Sequence, residues 1–226
     1  MHVCLFDIDG TLLNTGGAGQ AAMEAAVAEQ LGDVGPIHGI SYAGRTDRGI
    51  IGDIFRFYSS ELTEVIRAKF IAAYLRHLPR ELAGRAGLIL PGVVEMLSHL
   101  HQREDVVLGL LTGNLLEGAR LKLSHHGLDE YFDFALGAFG DEHVDRDDVA
   151  RAAWAALSKS TPVEPSLERV WVIGDTPADI QCARAIGAKS LAVATGIYSR
   201  EQLGRAHPDR LVDDFSDAEA VLEIWI

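Results

Sequence analysis

Val3-Cys4-Leu5-Phe6-Asp7-Ile8-Asp9-Gly10-Thr11 is the stretch on which the fold turns. Five of the six residues from Val3 to Ile8 are apolar, the composition of a short strand buried on both faces. It ends in two carboxylates, a glycine and a hydroxyl, which a strand has no structural need for. At the carboxyl end of a parallel strand, side chains emerge into the crevice where α/β proteins bind ligands. Asp7 and Asp9 share a parity and would point to one face if the strand stayed extended, while Gly10 lets the backbone turn. Two such carboxylates repel one another unless a cation or a proton lies between them.

Working outward, the segment from Leu12 to Gly17 leaves the strand as a possible hinge. Ala18 to about Leu31 has helical spacing and stops at Gly32; Asp33 to Ile40 carries Gly35, Pro36 and Gly39 and reads as loop. Helices are predicted over about Asp47 to Phe57 and Glu61 to Leu78, the latter capped from Ser59-Ser60. No strand signal occurs between Gly16 and Gly87, so a separate helical unit follows the first strand. Pro91-Gly92 opens a helix to about Gln102. Strands then alternate with helices: Val106–Leu111, a helix to about His126, Phe132–Leu136, a helix over Asp148–Leu157, Val170–Ile173, a helix over Ala178–Ile186, Ser190–Ala194, Arg210–Val212, and a helix over Asp217–Leu222. That alternation predicts an α/β fold, a doubly wound parallel sheet with helices on both faces.

Chemistry is expected at two more strand ends. Thr112-Gly113-Asn114 puts a hydroxyl, two amides and a side-chain amide where a helix begins, a place that suits a phosphoryl group, although Asn114 could simply cap that helix. Gly174-Asp175-Thr176-Pro177-Ala178-Asp179 puts two acids four apart at a helix start. Capping accounts for one; two beside a buried strand suggest a cation.

These three strand ends resemble the first, second and fourth motifs of the haloacid dehalogenase-like superfamily: Asp-x-Asp-Gly-Thr, Ser/Thr, and Gly-Asp-x-x-x-Asp. The helical insert resembles the cap of the branch that places it after the first motif, which implies a Rossmann-like core of residues 1–15 and 88–226 and a smaller all-helical cap of residues 16–87. The resemblance implies a Mg²⁺-dependent phosphatase of a small phosphorylated metabolite. Asp7 would be the nucleophile that forms an aspartyl-phosphate and Asp9 the general acid and base. Asp7, the Asp9 carbonyl and Asp175 would be metal ligands, and Asp179 would stand behind them, orienting a water on the metal. Thr112 would act at the phosphoryl group, with Thr11, Gly113 and Asn114 near the substrate. The third motif is normally a lysine, often Lys-Pro, and Phe139 to Asp148 contains none. Arg146 is expected to replace it, with Lys159 the competitor; Arg146 could equally pair with its acidic neighbours in a loop. Gly44-Arg45-Thr46-Asp47 resembles the specificity loop of phosphoglycolate phosphatase-like members, which places Arg45 against the leaving group; an ordinary surface arginine beside a helix cap is the other reading.

Composition bounds what remains. The 226 residues give room for one large domain or for a domain with an insert, either of which buries roughly 70% of the unfolded surface. With 20 basic and 33 acidic residues, a net charge of −13 disfavours binding to nucleic acid or anionic membranes. Cys4 and Cys182 read as buried, reduced thiols, and no signal peptide or membrane span is visible, so a cytoplasmic monomer or homodimer is expected. Asp9 argues against dehalogenation, because L-2-haloacid dehalogenases lack an acid there; Lys69 reads as a solvated helix residue rather than a Schiff-base lysine, and His38 and His143 as bystanders. A sugar-phosphate phosphomutase, a receiver-like phospho-acceptor and a catalytically weak binding protein of the same fold are the alternatives.

Overall fold

A computed structural model of the chain describes residues 1–32, 34–160, 166–217 and 221–223. β1 (His2–Phe6) and β2 (Leu13–Asn14) precede three helices, α1 (Ala18–Leu31), α2 (Asp47–Phe57) and α3 (Glu64–Ala83). Then follow β3 (Leu88–Ile89), α4 (Val93–His101), β4 (Val106–Leu110), α5 (Leu116–His125), α6 (Arg146–Ser160), β5 (Val170–Gly174), α7 (Pro177–Ile186), β6 (Lys189–Val193), α8 (Arg200–Arg205) and β7 (Arg210–Val212). The main sheet has the order β4-β1-β5-β6-β7 with every pairing parallel. The fold is therefore the doubly wound α/β class with a helical cap, and the order reverses around β1, which puts the ligand crevice at its carboxyl end.

Alternation along β1 divides the core. Cys4 and Phe6 face a cluster completed by Met96 and Leu97 of α4 and Leu123 of α5. Val3 and Leu5 face the opposite layer, with Val149 and Ala153 of α6 and Cys182 of α7. A third cluster belongs to the cap, where Met23 of α1, Ile51 and Phe55 of α2, and Phe70 and Tyr74 of α3 pack together. Phe55 and Phe70 meet edge to face with ring centroids 5.5 Å apart.

Several expectations are corrected. Phe132–Leu136 is not a strand: Asp133 accepts the Ala135 N–H and turns Phe134–Leu136 into a 3₁₀ helix, leaving one parallel bridge between Leu111 and Ala138. The third cap helix starts later and runs through Pro79, because Thr63 rather than Ser59-Ser60 accepts its first amide and Leu82 is still buried in the cap cluster. β2 and β3 pair antiparallel where the chain enters and leaves the cap, and α8 opens on a Ser199/Gln202 capping box; neither was anticipated. The helix expected over Asp217–Leu222 lies in part outside the described residues. Both cysteines are free and buried. No described helix is long and apolar enough to cross a membrane.

Gly92, at the start of α4, packs against the C-terminal segment. It has φ +75°, and a Cβ there would lie 1.9 Å from the Phe215 carbonyl oxygen. Gly92→Ala is expected to destabilise the protein by about 2–4 kcal/mol, seen as a lower urea midpoint at unchanged slope; a change within about 0.5 kcal/mol would contradict this packing.

Candidate active site

The parity that splits the core also sorts the acids. Asp7 continues the Val3–Leu5 side, and its amide still donates to Ile173 O at 2.9 Å, so its carboxylate turns toward α6 and α7. Arg146, the first residue of α6, places Nη1 3.5 Å from Asp7 Oδ1 and bonds Asp179 Oδ1 through Nη2. Asp179 is the third residue of α7. Its Oδ2 accepts the Thr176 amide at 3.0 Å and hydroxyl at 2.7 Å, a capping box that fixes the carboxylate before it meets the guanidinium. Asp175 leaves the end of β5, and Thr11 donates to its Oδ1 at 3.1 Å. The carboxylate oxygens of Asp7, Asp175 and Asp179 lie within 4.8 Å of one another, and all three residues are buried.

Burial raises Asp7 to about 7, helped by the charge of Asp179 and opposed by Arg146 and a hydrogen bond from Thr112. Burial, Asp179 and Asp7 raise Asp175 to about 8. For Arg146, burial works against the charge, but Asp179 and Asp7 outweigh it and hold the guanidinium protonated. One arginine among three buried carboxylates leaves negative charge uncompensated, and the donors are all oxygen. That set fits a hard divalent cation such as Mg²⁺.

Asp9 goes the other way. The strand ends at Phe6 and the chain turns, with the amides of Leu12 and Leu13 returning to Ile8 O, so Asp7 and Asp9 do not share a face. Asp9 Oδ2 accepts from Lys122 Nζ at 2.6 Å and Asn114 Nδ2 at 2.9 Å, and Lys122 also donates to Asn114 Oδ1 at 2.6 Å. Thr112 Oγ1 takes a bond from Asn114 Nδ2 at 2.8 Å. Thr11, Thr112 and Asn114, expected at the substrate, thus also brace the acids of the site.

Sequence reasoning missed Lys122. The signal was its place on α5: Leu115, Ala119 and Leu123 are buried at helical spacing, and Lys122 lies on that same stripe, where an apolar residue is the rule. A lysine 4% exposed needs buried partners, and only acids and amides at the mouth of the sheet can provide them. Lys159 is exposed and lies near the far end of α6 from Arg146. Lys69 and His38 are exposed on the cap side, and His143 is half-buried.

Above the acids is a cavity of about 580 Å³. Asp7, Asp9, Asp175, Lys122, Arg146 and Gly113 line it from the sheet side, and Arg45, Asp47, Met23, Ile50 and Tyr74 from the cap. One main-chain bond and two side-chain bonds hold the cap down: Asp47 N donates to Gly113 O at 2.7 Å, Asp47 Oδ2 accepts Leu115 N at 2.9 Å, and Thr46 Oγ1 donates to Val144 O at 2.9 Å. Arg45 gives Nη1 to Asp53 Oδ2 at 2.5 Å. Burial raises Asp47 to about 6, against the pull of Lys122 and the Leu115 amide.

The sequence model of the haloacid dehalogenase-like hydrolase family matches residues 4–193, and the chain belongs to that family. It is 28% identical over 232 residues to a phosphoglycolate phosphatase of Synechococcus elongatus, covering 96% of this chain and 95% of that one. It is 26% identical to the pyrophosphatase PpaX of Listeria innocua, covering 96% and 94%. Among solved structures, a hydrolase from Pseudomonas syringae superposes with a TM-score of 0.71 at 20% identity, covering 99% of this chain and 98% of that one, a likeness of fold.

The raised carboxylates give a signed prediction. Acids whose folded pKa exceeds the unfolded value of 3.8 favour the native state fully only at low pH, so this contribution fades as pH rises from about 4 toward 8. Metal binding reverses the loss and meets less competition from protons at the upper end. Melting curves should show that saturating Mg²⁺ raises Tm more at pH 8 than at pH 5, against protein treated with a chelator. An equal rise at both would contradict a site built from these acids.

Proposed function

We propose that this chain is a Mg²⁺-dependent phosphatase that hydrolyses a small phosphorylated metabolite through an aspartyl-phosphate on Asp7. In this reading residues 16–87 form the cap over a core of residues 1–15 and 88–226. The observation that carries the proposal is the convergence of Asp7 with Asp175 and Asp179, from distant parts of the chain, on one buried point, where Asp7 and Asp175 line the floor of a cavity. The phosphatase names of the full-length relatives support it.

Asp7 and Asp175, with the Asp9 carbonyl, would hold the metal. Bound there, Mg²⁺ supplies positive charge against the attacking carboxylate and the phosphoryl oxygens. Asp7 attacks phosphorus, the bond from phosphorus to the leaving oxygen breaks, and Asp9 gives that oxygen its proton. Asp9 then takes a proton from water as the water oxygen attacks phosphorus; the bond to Asp7 breaks and inorganic phosphate leaves. Arg146 keeps Asp7 aimed by holding Asp179 on its other side, and its fixed charge also suits phosphoryl oxygens. Lys122 and Asn114 hold Asp9 by one oxygen, which leaves the other for the proton transfer. Gly113 lines the cavity beside Arg146, a Cβ there coming within 3.1 Å of Arg146 Nη1, so its amide would meet the phosphoryl group next to that guanidinium. The cap excludes water from the reacting atoms while substrate is bound.

Asp7→Asn keeps the shape of the side chain and removes the nucleophile. Turnover of p-nitrophenyl phosphate with Mg²⁺ should fall by about 10³-fold or more while the circular dichroism spectrum and Tm stay near wild type. Turnover within about tenfold of wild type would rule out Asp7 as nucleophile.

A further inference from the structure

The cap side of the cavity has a chemical character that the relatives' names do not suggest. Three cations line the cavity among the described residues, and each is already paired. Arg146 holds Asp7 and Asp179, Lys122 holds Asp9 and Asn114, and Arg45 is bonded to Asp53. Four acids line the same space: Asp7, Asp9 and Asp175 at the floor and Asp47 from the cap. A metal would answer the acids at the floor, but Asp47 is not one of the clustered acids: one of its oxygens accepts the Leu115 amide, and the other makes no hydrogen bond among the described residues.

Neutral polar groups make up the rest of that wall. Tyr42 and Tyr74 line the cavity, and their buried hydroxyls meet no hydrogen-bond partner among the described residues. Gly19 keeps space open beside Tyr74: a Cβ there would come within 3.4 Å of Lys122 Nζ and 4.0 Å of Tyr74 Oη. Met23 and Ile50 supply apolar surface. A buried hydroxyl without a partner is costly unless a ligand satisfies it, and a carboxylate facing the ligand accepts hydroxyls and repels anions.

We propose that the leaving group held under α1–α3 is an uncharged polyol, so that the preferred substrate is a sugar or polyol monophosphate rather than a phosphocarboxylate or a pyrophosphate. Asp47 is the discriminating residue: it accepts a hydroxyl of the leaving group, and it repels a carboxylate or second phosphate in the same space. Tyr42 and Tyr74 exchange hydrogen bonds with further hydroxyls, while Met23 and Ile50 take the C–H face. The cavity volume of about 580 Å³ leaves room for a sugar-sized group beside the phosphoryl site. The inference rests on the phosphatase reading above.

The test is kcat/KM of the full chain with saturating Mg²⁺ on p-nitrophenyl phosphate, glycerol 3-phosphate, a hexitol 6-phosphate, phosphoglycolate and pyrophosphate. At least one polyol phosphate is expected to exceed both anionic substrates by about 10–100-fold. Asp47→Asn is expected to shrink that ratio by about tenfold, through a gain on the anionic substrates. If p-nitrophenyl phosphate is turned over but phosphoglycolate or pyrophosphate equals or exceeds both polyol phosphates, this inference falls and the phosphatase reading stands. An unchanged ratio in a folded Asp47→Asn protein also overturns it. The wild-type panel decides the matter alone should that variant not fold. Absence of turnover on every phosphate would remove the phosphatase reading and this inference together.

Discussion

The structure depends on a repulsion that it does not resolve by itself. Asp7, Asp175 and Asp179 are brought into one buried space, where each charge opposes the others in a medium that screens them poorly. A fold tolerates this only if something positive enters. Arg146 is the built-in part of the answer, and its geometry explains why an arginine can serve. Its fork reaches Asp7 with one nitrogen and Asp179 with another, which a single ammonium on a flexible stem would do less well. The remaining excess of negative charge is what suits the cluster to a cation, so the mutual repulsion of the acids and their fit to a metal have one cause.

The same constraint fixes the use of the flanking secondary structure. Asp179 belongs to a capping box and Asp175, directly after a buried strand, accepts from Thr11, so neither carboxylate can rotate away from its neighbours without losing hydrogen bonds. Asp9 is treated differently. Its side chain is 41% exposed and shares one oxygen with Lys122 and Asn114. One acid is locked at the floor and one is held at the wall of the cavity, which is the separation that a nucleophile and a proton-transfer group require.

Much of this was legible in the chain because strand ends carry their chemistry in a few contiguous residues. Asp7 and Asp175 each follow an apolar run or a glycine that marks where a strand stops, with Asp9 two residues and Asp179 four residues further on, and the sheet order then brings those ends together. Arg146 was reachable only by elimination, from the absence of Lys-Pro before Val149. Lys122 was not reached, since a lysine in a helix reads as solvated until the buried face of that helix is known. The strand expected at Phe132–Leu136 failed for a local reason, a side chain capping its own turn, that hydrophobic pattern alone does not register. β2 and β3 were invisible because two residues cannot carry a periodicity.

The cap meets the core backbone to backbone, and this bears on how the two parts divide the work. A Cβ at Gly113 would lie 1.9 Å from the Arg45 carbonyl oxygen, so glycine at the end of β4 is what permits the cap loop to come down. Main-chain groups make part of the closing contact, Asp47 N to Gly113 O, and they are indifferent to the side chains the cap carries into the cavity. Arg45, Met23, Ile50 and Tyr74 can therefore differ without disturbing the acids at the floor, and the acids can keep their geometry whatever the leaving group is. Asp47 is the exception: its backbone meets the core at Gly113, its carboxylate is anchored on the core amide of Leu115, and it lines the cavity. In the proposed reading, a residue in all three places would couple the cap–core contact to the charge of what lies beneath it. On the proposed reading, substrate selection is for that reason decided at the seam between cap and core, more than by the floor assigned to the reaction.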